Sequence, residues 1–154
     1  MSPGIQITRY PYEEPHHLNL RIAATNGRIN GDLEYYCNAS DLTSLGQELA
    51  AFSGEQGKEI VYQLGSEKAE DRFAFFLSLI ISAVNTAGSC AVIIRLNNNQ
   101  AVPEKEVTEF GIKAEVAGIN RLGNLLVEFG RLEHRVLNWT VQDGELRKED
   151  SETI

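Results

Sequence analysis

Residues 41–54 read DLTSLGQELAAFSG and residues 118–130 read GINRLGNLLVEFG, and these two stretches decide the fold. They share one spacing of leucine, glycine and phenylalanine at an offset of 77 residues. Apolar side chains at intervals of three and four residues predict an amphipathic helix in each stretch. Each stretch ends at a glycine, and Gly54 is the expected left-handed residue after the first helix.

Each predicted helix also contains a glycine on its apolar side, Gly46 in the first and Gly123 in the second. A glycine inside a helix costs about 0.5–1 kcal/mol relative to alanine. Two unrelated amphipathic helices would account for the shared leucines. They would not account for a destabilising glycine at the same position of each helix. The glycines therefore indicate that each helix backbone packs closely against another element, which we expect to be the sheet.

Strand-like segments surround both helices. Leu18 to Thr25 alternates apolar and polar residues, and Asn26-Gly27 after it predicts a two-residue type I′ hairpin turn. Further strands are predicted at residues 5–10, 28–38, 59–64, 90–96, 107–116 and 136–141, and the Asn97-Asn98-Asn99-Gln100 run is a polar loop. Residues 73–84 fit both a helical stripe and a strand, but their Phe, Ile and Val content favours a strand covered on both faces.

The order strand, strand, strand, helix, strand therefore occurs twice. It predicts an α+β fold: a largely antiparallel sheet of about six to eight strands, two equivalent helices on one face, and a pseudo-two-fold internal repeat. The chain of 154 residues suits one domain. We assign that domain to residues 1–142, with halves of about 5–65 and 73–141, and we expect residues 143–154 to form an acidic, disordered tail.

Composition narrows the possible functions. There are 14 Lys and Arg against 22 Asp and Glu, a net charge of −8, which would repel a nucleic-acid backbone. No apolar run approaches the ~20 residues of a membrane helix, and the first residues lack the pattern of a signal peptide. Cys37 and Cys90 lie in apolar runs without CxxC spacing and are predicted to be buried free thiols. We therefore expect a cytoplasmic protein that binds neither nucleic acid nor a membrane.

No motif for catalysis or metal binding stands out. His16 and His17, preceded by Glu13 and Glu14, are the one cluster that resembles a metal-ligand set. Adjacent residues of a strand point to opposite faces, so we interpret this cluster as a solvated loop end. His134 follows the second helix, where its charge would favour the helix C-terminus. The sequence thus indicates no catalytic residue, no metal site, no cofactor and no enzyme.

Aromatic side chains that carry a polar group are the best candidates for a binding surface, because they are enriched in protein interfaces. Tyr35 and Tyr36 are adjacent, so one of them should face away from the helix-covered side of the sheet. We predict an open sheet face that binds a protein partner through five residues: Tyr35, Tyr36, Tyr62, Arg95 and Trp139.

Four segments carry a resemblance to a known kind of protein. They are LNLRIAATNGRINGDLEYY at 18–36, DLTSLGQELAAF at 41–52, FLSLIISAVNTAGSCAVIIRLNNN at 76–99 and FGIKAEVAGINRLGNLLVEF at 110–129. Their layout resembles uncharacterised bacterial α+β domains similar to the immunity proteins that accompany WapI-type contact-dependent toxins. The resemblance implies a cytoplasmic binding protein without a cofactor, and it brings no active site with it.

The sequence therefore predicts a non-enzymatic protein-binding domain, with an immunity-type inhibitor of a toxin as the form that the resemblance implies. Two alternatives remain open. One is a small-molecule-binding domain or enzyme with a pocket between helices and sheet near His16, His17 or Cys37. The other is an oligomerising structural module, such as a homodimer, that pairs through the edge of a strand.

Overall fold

The computed structural model describes residues 2–15 and 17–149. It has an α+β fold, as predicted, but with nine strands rather than six to eight. The elements are β1 (Gly4–Tyr10), β2 (Leu18–Thr25), β3 (Asn30–Cys37), α1 (Ala39–Ala50), β4 (Glu59–Gly65), a short 3₁₀ turn (Ala69–Asp71), β5 (Phe76–Ala83), β6 (Ser89–Asn97), β7 (Val107–Glu115), α2 (Val116–Phe129), β8 (Val136–Thr140) and β9 (Gly144–Arg147).

The strands form two antiparallel sheets instead of the single sheet that we expected. The five-stranded sheet has the order β3-β2-β1-β8-β9, and the four-stranded sheet has the order β4-β5-β6-β7. Strand β4, which follows α1, pairs with β5, whereas β8, which follows α2, returns to pair with β1. Apolar alternation predicts where strands lie but not which strands pair, so the division into two sheets was missed.

The two helices pack against each other at their glycines. A Cβ atom on Gly46 would lie 2.7 Å from the carbonyl oxygen of Gly123, and one on Gly123 would lie 2.6 Å from the carbonyl oxygen of Gly46. The close packing that the glycines predict is confirmed, but the partner is the other helix and not the sheet. One hydrophobic core joins both helices to the inner faces of both sheets.

The ambiguous segment 73–84 contains strand β5, so the prediction of a strand is confirmed for residues 76–83. Its inner side chains Leu77, Leu79 and Ile81 are buried in the core, whereas Ile80 on the outer side is only half-buried. Burial of this strand is therefore unequal on its two faces.

The hairpin between β2 and β3 differs from the prediction. Thr25 pairs with Asn30, which leaves a four-residue loop rather than a two-residue turn. Of the loop residues only Gly27 has a positive φ, of 94°. The side-chain oxygen of Asn26 accepts the backbone N–H groups of Arg28 (2.9 Å) and Ile29 (2.8 Å), and these bonds favour the longer loop over type I′ geometry.

The predicted disordered tail, residues 143–154, overlaps the last strand of the domain. Residues 144–147 form strand β9, which pairs with β8 and so belongs to the domain. Leu146 lies opposite Leu137 and packs against the core, while a Cβ atom on Gly144 would lie 2.6 Å from Leu125 Cδ1. The acidic composition of this segment did not indicate that Leu146 packs against the core or that Gly144 lies against Leu125. Residues 150–154 lie outside the described part of the chain.

Candidate protein-binding face

The five predicted binding residues do not share one surface. Tyr35 and Trp139 are core residues, 2% and 1% exposed, so neither can contact a partner. The Trp139 indole N–H donates to the carbonyl oxygen of Gly118 at 2.9 Å, and the Tyr35 ring packs edge-on against Phe75. Tyr36 is 52% exposed, on the outer side of the five-stranded sheet.

Tyr62 lies on the inner face of the four-stranded sheet. Its hydroxyl is buried and has no hydrogen-bond partner among the described residues. Burial is the main cause that raises the pKa of Tyr62, and the nearby Cys37 and Asp41 add to it. Burial also raises the pKa of the Cys37 thiol to about 12. A reactive cysteine needs thiolate character, so this group packs as a neutral side chain instead of acting as a nucleophile.

Of the five predicted residues, only Arg95 lies on the outer face of the four-stranded sheet. Its guanidinium binds the carboxylates of Glu67 (Nε to Oε2, 2.7 Å) and Glu109 (Nη1 to Oε1, 3.1 Å). Asn97 Nδ2 donates to the same Glu67 oxygen at 2.7 Å. This hydrogen bond from Asn97 is the largest cause that lowers the pKa of Glu67, followed by the bond from Arg95. The network fixes charged side chains along one edge of the face.

Beside Arg95 lies an apolar row that the sequence did not reveal: Val61, Ile80 and Ile93, which are direct neighbours on adjacent strands. Val61 is 52% exposed and Ile93 is 37% exposed. The fourth position of the row is Gly111 on β7, where a Cβ atom would meet only one atom within 4 Å, at 3.9 Å. The row is therefore open to solvent along its length. Sequence reasoning missed it because strand β5 was expected to be covered on both faces.

The outer face of the five-stranded sheet has a different character. A row across it reads Asp32, Ala23, Gln6 and Asn138, and so is polar except for one alanine. A shallow depression of about 460 Å³ lies over this row, and Asp32 pairs with Arg21 at 3.1 Å. No large apolar side chain enters the row, unlike its counterpart on the four-stranded sheet.

The histidines form no metal centre in the described residues. His16 lies outside that part of the chain, and across residues 2–15 and 17–149 no three His, Cys, Asp or Glu side chains are placed to hold a metal ion. The last carbonyl groups of α2 accept the N–H groups of Gly130 and Arg131, whereas Nδ1 of His134 is buried and unpaired in the described structure. His134 therefore does not cap the helix through that atom.

Three cavities of the described structure lie on the five-stranded face, between two loops of the four-stranded sheet, and beside the β5-β6 turn. None of the three is lined by Cys37, by His17 or by a residue of either α-helix. No helix in residues 2–15 and 17–149 is long and apolar enough to cross a bilayer.

No protein-family model and no curated protein matches the chain. Among solved structures, the chain is similar to the plant transcriptional regulator PBF-2, with a TM-score of 0.46 and 8% sequence identity. The match covers 84% of this chain and 76% of that one.

Proposed function

We propose that the chain is a non-enzymatic protein-binding domain whose binding surface is the outer face of the four-stranded sheet. The observation that carries this proposal is the apolar row, Val61, Ile80 and Ile93, partly exposed to water in the middle of a sheet face. Exposed apolar patches rimmed by polar residues are typical of interaction sites. Side chains on a sheet are held in place before binding, which limits the entropy lost when a partner docks.

The charges around the row favour a partner with a basic rim. Glu59, Glu67 and Glu109 flank the row, and Arg95 binds two of these three carboxylates. Lys113 lies two residues along β7 from Gly111 and is a second cation on this face, so the rim has three acids against two cations and a net charge of −1. Complementary charges raise the rate of association and select among partners. A matching protein would present an apolar centre surrounded by lysine or arginine.

The partner class that we propose is a toxin, and the location is the cytoplasm. The support is the resemblance in layout to immunity proteins of WapI-type systems, together with the net charge of −8. An immunity protein acts by occupying a surface of its toxin and needs no catalytic group of its own. The buried, neutral Cys37 is compatible with that role.

We also infer a pseudo-two-fold repeat that relates the two halves of the domain. Three pairs of elements begin 77 residues apart: β3 and β7, α1 and α2, and β4 and β8. The reciprocal approach of Gly46 and Gly123 and the pairing of β4 and β8 with strands of the other half support the same relation. Such a repeat would make the two outer sheet faces equivalent in origin. One of them carries the apolar row and the other is polar, and this difference supports a function for the first.

Affinity capture with matched charge variants tests the proposal. Ile93→Glu places a carboxylate in the apolar row, and Gln6→Glu places one on the outer face of the other sheet as a control. We expect one protein to be retained at physiological salt by the wild type and by Gln6→Glu, and lost by Ile93→Glu, with all three proteins folded by circular dichroism. A partner that Ile93→Glu still retains, or no partner at all, would contradict the proposal.

Two further measurements separate the alternatives. If the row binds a second copy of this chain, sedimentation will show a wild-type dimer and an Ile93→Glu monomer, which favours the oligomerising module. If the gene beside that of this chain encodes a toxin and the row binds it, cells that express that toxin will grow with the wild type or Gln6→Glu and stop growing with Ile93→Glu. Growth with all three would exclude the row from toxin binding.

A further inference from the structure

Two loops at one end of the four-stranded sheet border an open cavity of about 520 Å³. One loop, residues 66–75, joins β4 to β5, and the other, residues 98–106, joins β6 to β7. The volume falls within the range of small-molecule sites in proteins. This cavity lies beyond the apolar row and shares with the proposed protein-binding face only Glu67, which belongs to the rim of that face.

The asparagine run at residues 97–99 holds the two loops together. Asn99, whose φ is 54°, donates from Nδ2 to the carbonyl oxygens of Ser66 (2.8 Å) and Phe73 (3.0 Å) in the other loop. Asn97 is 8% exposed, and its Oδ1 accepts the Asn99 N–H at 2.8 Å while its Nδ2 binds Glu67. The cavity wall is therefore fixed by hydrogen bonds from buried or half-buried amides, and it does not consist only of flexible surface chains.

Three cations line this cavity: Lys68, Arg72 and Lys105. None of them forms an ion pair with another residue in the described part of the chain. Glu67 is the acid among the lining residues, and its carboxylate is already bound by Arg95 and Asn97. Lys105 lies near enough to contribute to lowering the pKa of Glu67, after the larger effect of Asn97. The lining thus has an excess of two positive charges, while the other acids of the two loops, Glu70, Asp71, Glu104 and Glu106, lie outside the lining.

An aromatic ring completes the lining. Phe73 is 51% exposed although it is a large apolar side chain, and it lies beside Arg72 in the same wall. A phosphate monoester carries a charge of about −1.5 to −2 at pH 7 and offers three strong acceptor oxygens. Its charge is opposite to the excess on the cavity lining, and its organic part would cover the exposed ring.

We propose that the cavity between these two loops binds a small phosphate monoester, with the phosphate among Lys68, Arg72 and Lys105 and the organic group against Phe73. Lysine and arginine donate charge-assisted hydrogen bonds to phosphate oxygens, which are stronger than bonds between neutral groups. The Asn97 and Asn99 amides act as positioning groups, because their hydrogen bonds join the loops on which the cations lie.

Titration followed by ¹H–¹⁵N correlation spectra tests this site, with phenyl phosphate as the probe. Inorganic phosphate and sodium chloride at matched ionic strength serve as comparison titrants. We expect saturable shifts confined to residues 66–75 and 97–106, weaker binding of inorganic phosphate because it lacks the ring, and no saturation with chloride. Phe73→Ala should weaken the binding of phenyl phosphate and leave the binding of inorganic phosphate unchanged.

Charge-matched triple variants provide the control. A triple variant that carries Lys68→Gln, Arg72→Gln and Lys105→Gln should bind phenyl phosphate at least about tenfold more weakly, since it lacks the charged donors. Arg28→Gln, Lys58→Gln and Lys148→Gln together change the net charge equally, lie outside the cavity lining and should alter binding by less than about twofold. Equal weakening in both triples, shifts spread over the whole protein, or no saturation up to about 10 mM would overturn the proposal. Variants of the apolar row should leave this binding unchanged, so the two proposals fail independently.

Discussion

Replacing Gly123 by alanine should force the two helices apart. The added methyl group would lie 2.6 Å from the carbonyl oxygen of Gly46 and 2.8 Å from the carbonyl carbon of Leu49. Carbon atoms in favourable contact lie about 3.5–4.0 Å apart, so the helices must separate by about 1 Å locally. The opposing atoms belong to the backbone of α1, and no side-chain rotation can relieve the contact.

The size of the effect follows from two opposing contributions. Overpacking a well-packed interior costs about 1–3 kcal/mol, and a rigid backbone neighbour puts this site at the upper end. Alanine returns about 0.5–1 kcal/mol of helix propensity relative to glycine. The net loss in free energy of unfolding should therefore be about 2 kcal/mol, which for a domain of this size lowers Tm by about 4–8 °C.

Gly118→Ala in the same helix is the matched control. The atom nearest to its added methyl group is the Val141 carbonyl oxygen at 3.4 Å, an ordinary contact. The free energy of unfolding of this variant should rise by up to about 1 kcal/mol, whereas that of Gly123→Ala should fall. Urea unfolding followed by circular dichroism measures both. Equal stabilities for the two variants, within about 0.5 kcal/mol, would refute the account of close helix packing.

Three further predictions concern buried or partly buried polar groups. Tyr62→Phe removes a buried hydroxyl without a hydrogen-bond partner in the described structure, so the free energy of unfolding should stay equal or rise by up to about 1 kcal/mol, and a fall in urea unfolding would show a missed partner. Asn120→Ala removes the Nδ2 donor to the carbonyl oxygens of Leu49 (2.9 Å) and Phe52 (3.0 Å) at the end of α1 and should cost about 1–3 kcal/mol, which an unchanged Tm would contradict. Cys37 has a pKa of about 12 against an ordinary 9.0, so its contribution to stability is complete below pH 9 and is lost as pH rises toward 12. The folded protein should resist iodoacetamide at Cys37 at pH 8 and react after unfolding in urea, whereas rapid labelling of the native thiol would contradict its burial.

Most elements were predictable because their signals are local. The predicted strand at Leu18–Thr25 agrees with β2 at both ends, and α2 begins one residue before the predicted start. Period-two alternation and three-and-four spacing arise from the backbone geometry of the segment itself. The turn at Asn26 was missed because its side chain, and not only its tolerance of positive φ, decides the loop.

The arrangement of the sheets was less predictable because strand pairing is a long-range property. Strand β8 pairs with β1, which joins residues about 130 positions apart in the chain. No pattern within Val136–Thr140 identifies β1 as the neighbouring strand. Helix glycines were informative about close packing, yet they could not distinguish a helix from a sheet as the neighbour. In both cases the sequence identifies one of the two contacting segments but not the other.

The burial of two predicted binding residues was missed because aromatic residues were selected by type and not by their register in a strand. Tyr35 and Trp139 lie at positions that alternate inward, and large amphipathic rings fill a core as readily as an interface. The one signal in β6 is Arg95, a charged residue that should face outward and lies two residues from Ile93, hence on the same face of the strand.

The packing of the interior also explains why the proposed surfaces lie on the outside. The helix faces are occupied by their mutual contact at Gly46 and Gly123, and the inner sheet faces are occupied by the core that includes Tyr35 and Trp139. Opening a pocket between helices and sheet would require separating side chains of the buried core. A ligand or partner therefore costs least in reorganisation where packing is already complete without it. The apolar row around Ile93 and the loops tied by Asn99 meet that condition, which is why the two proposals fall on these sites.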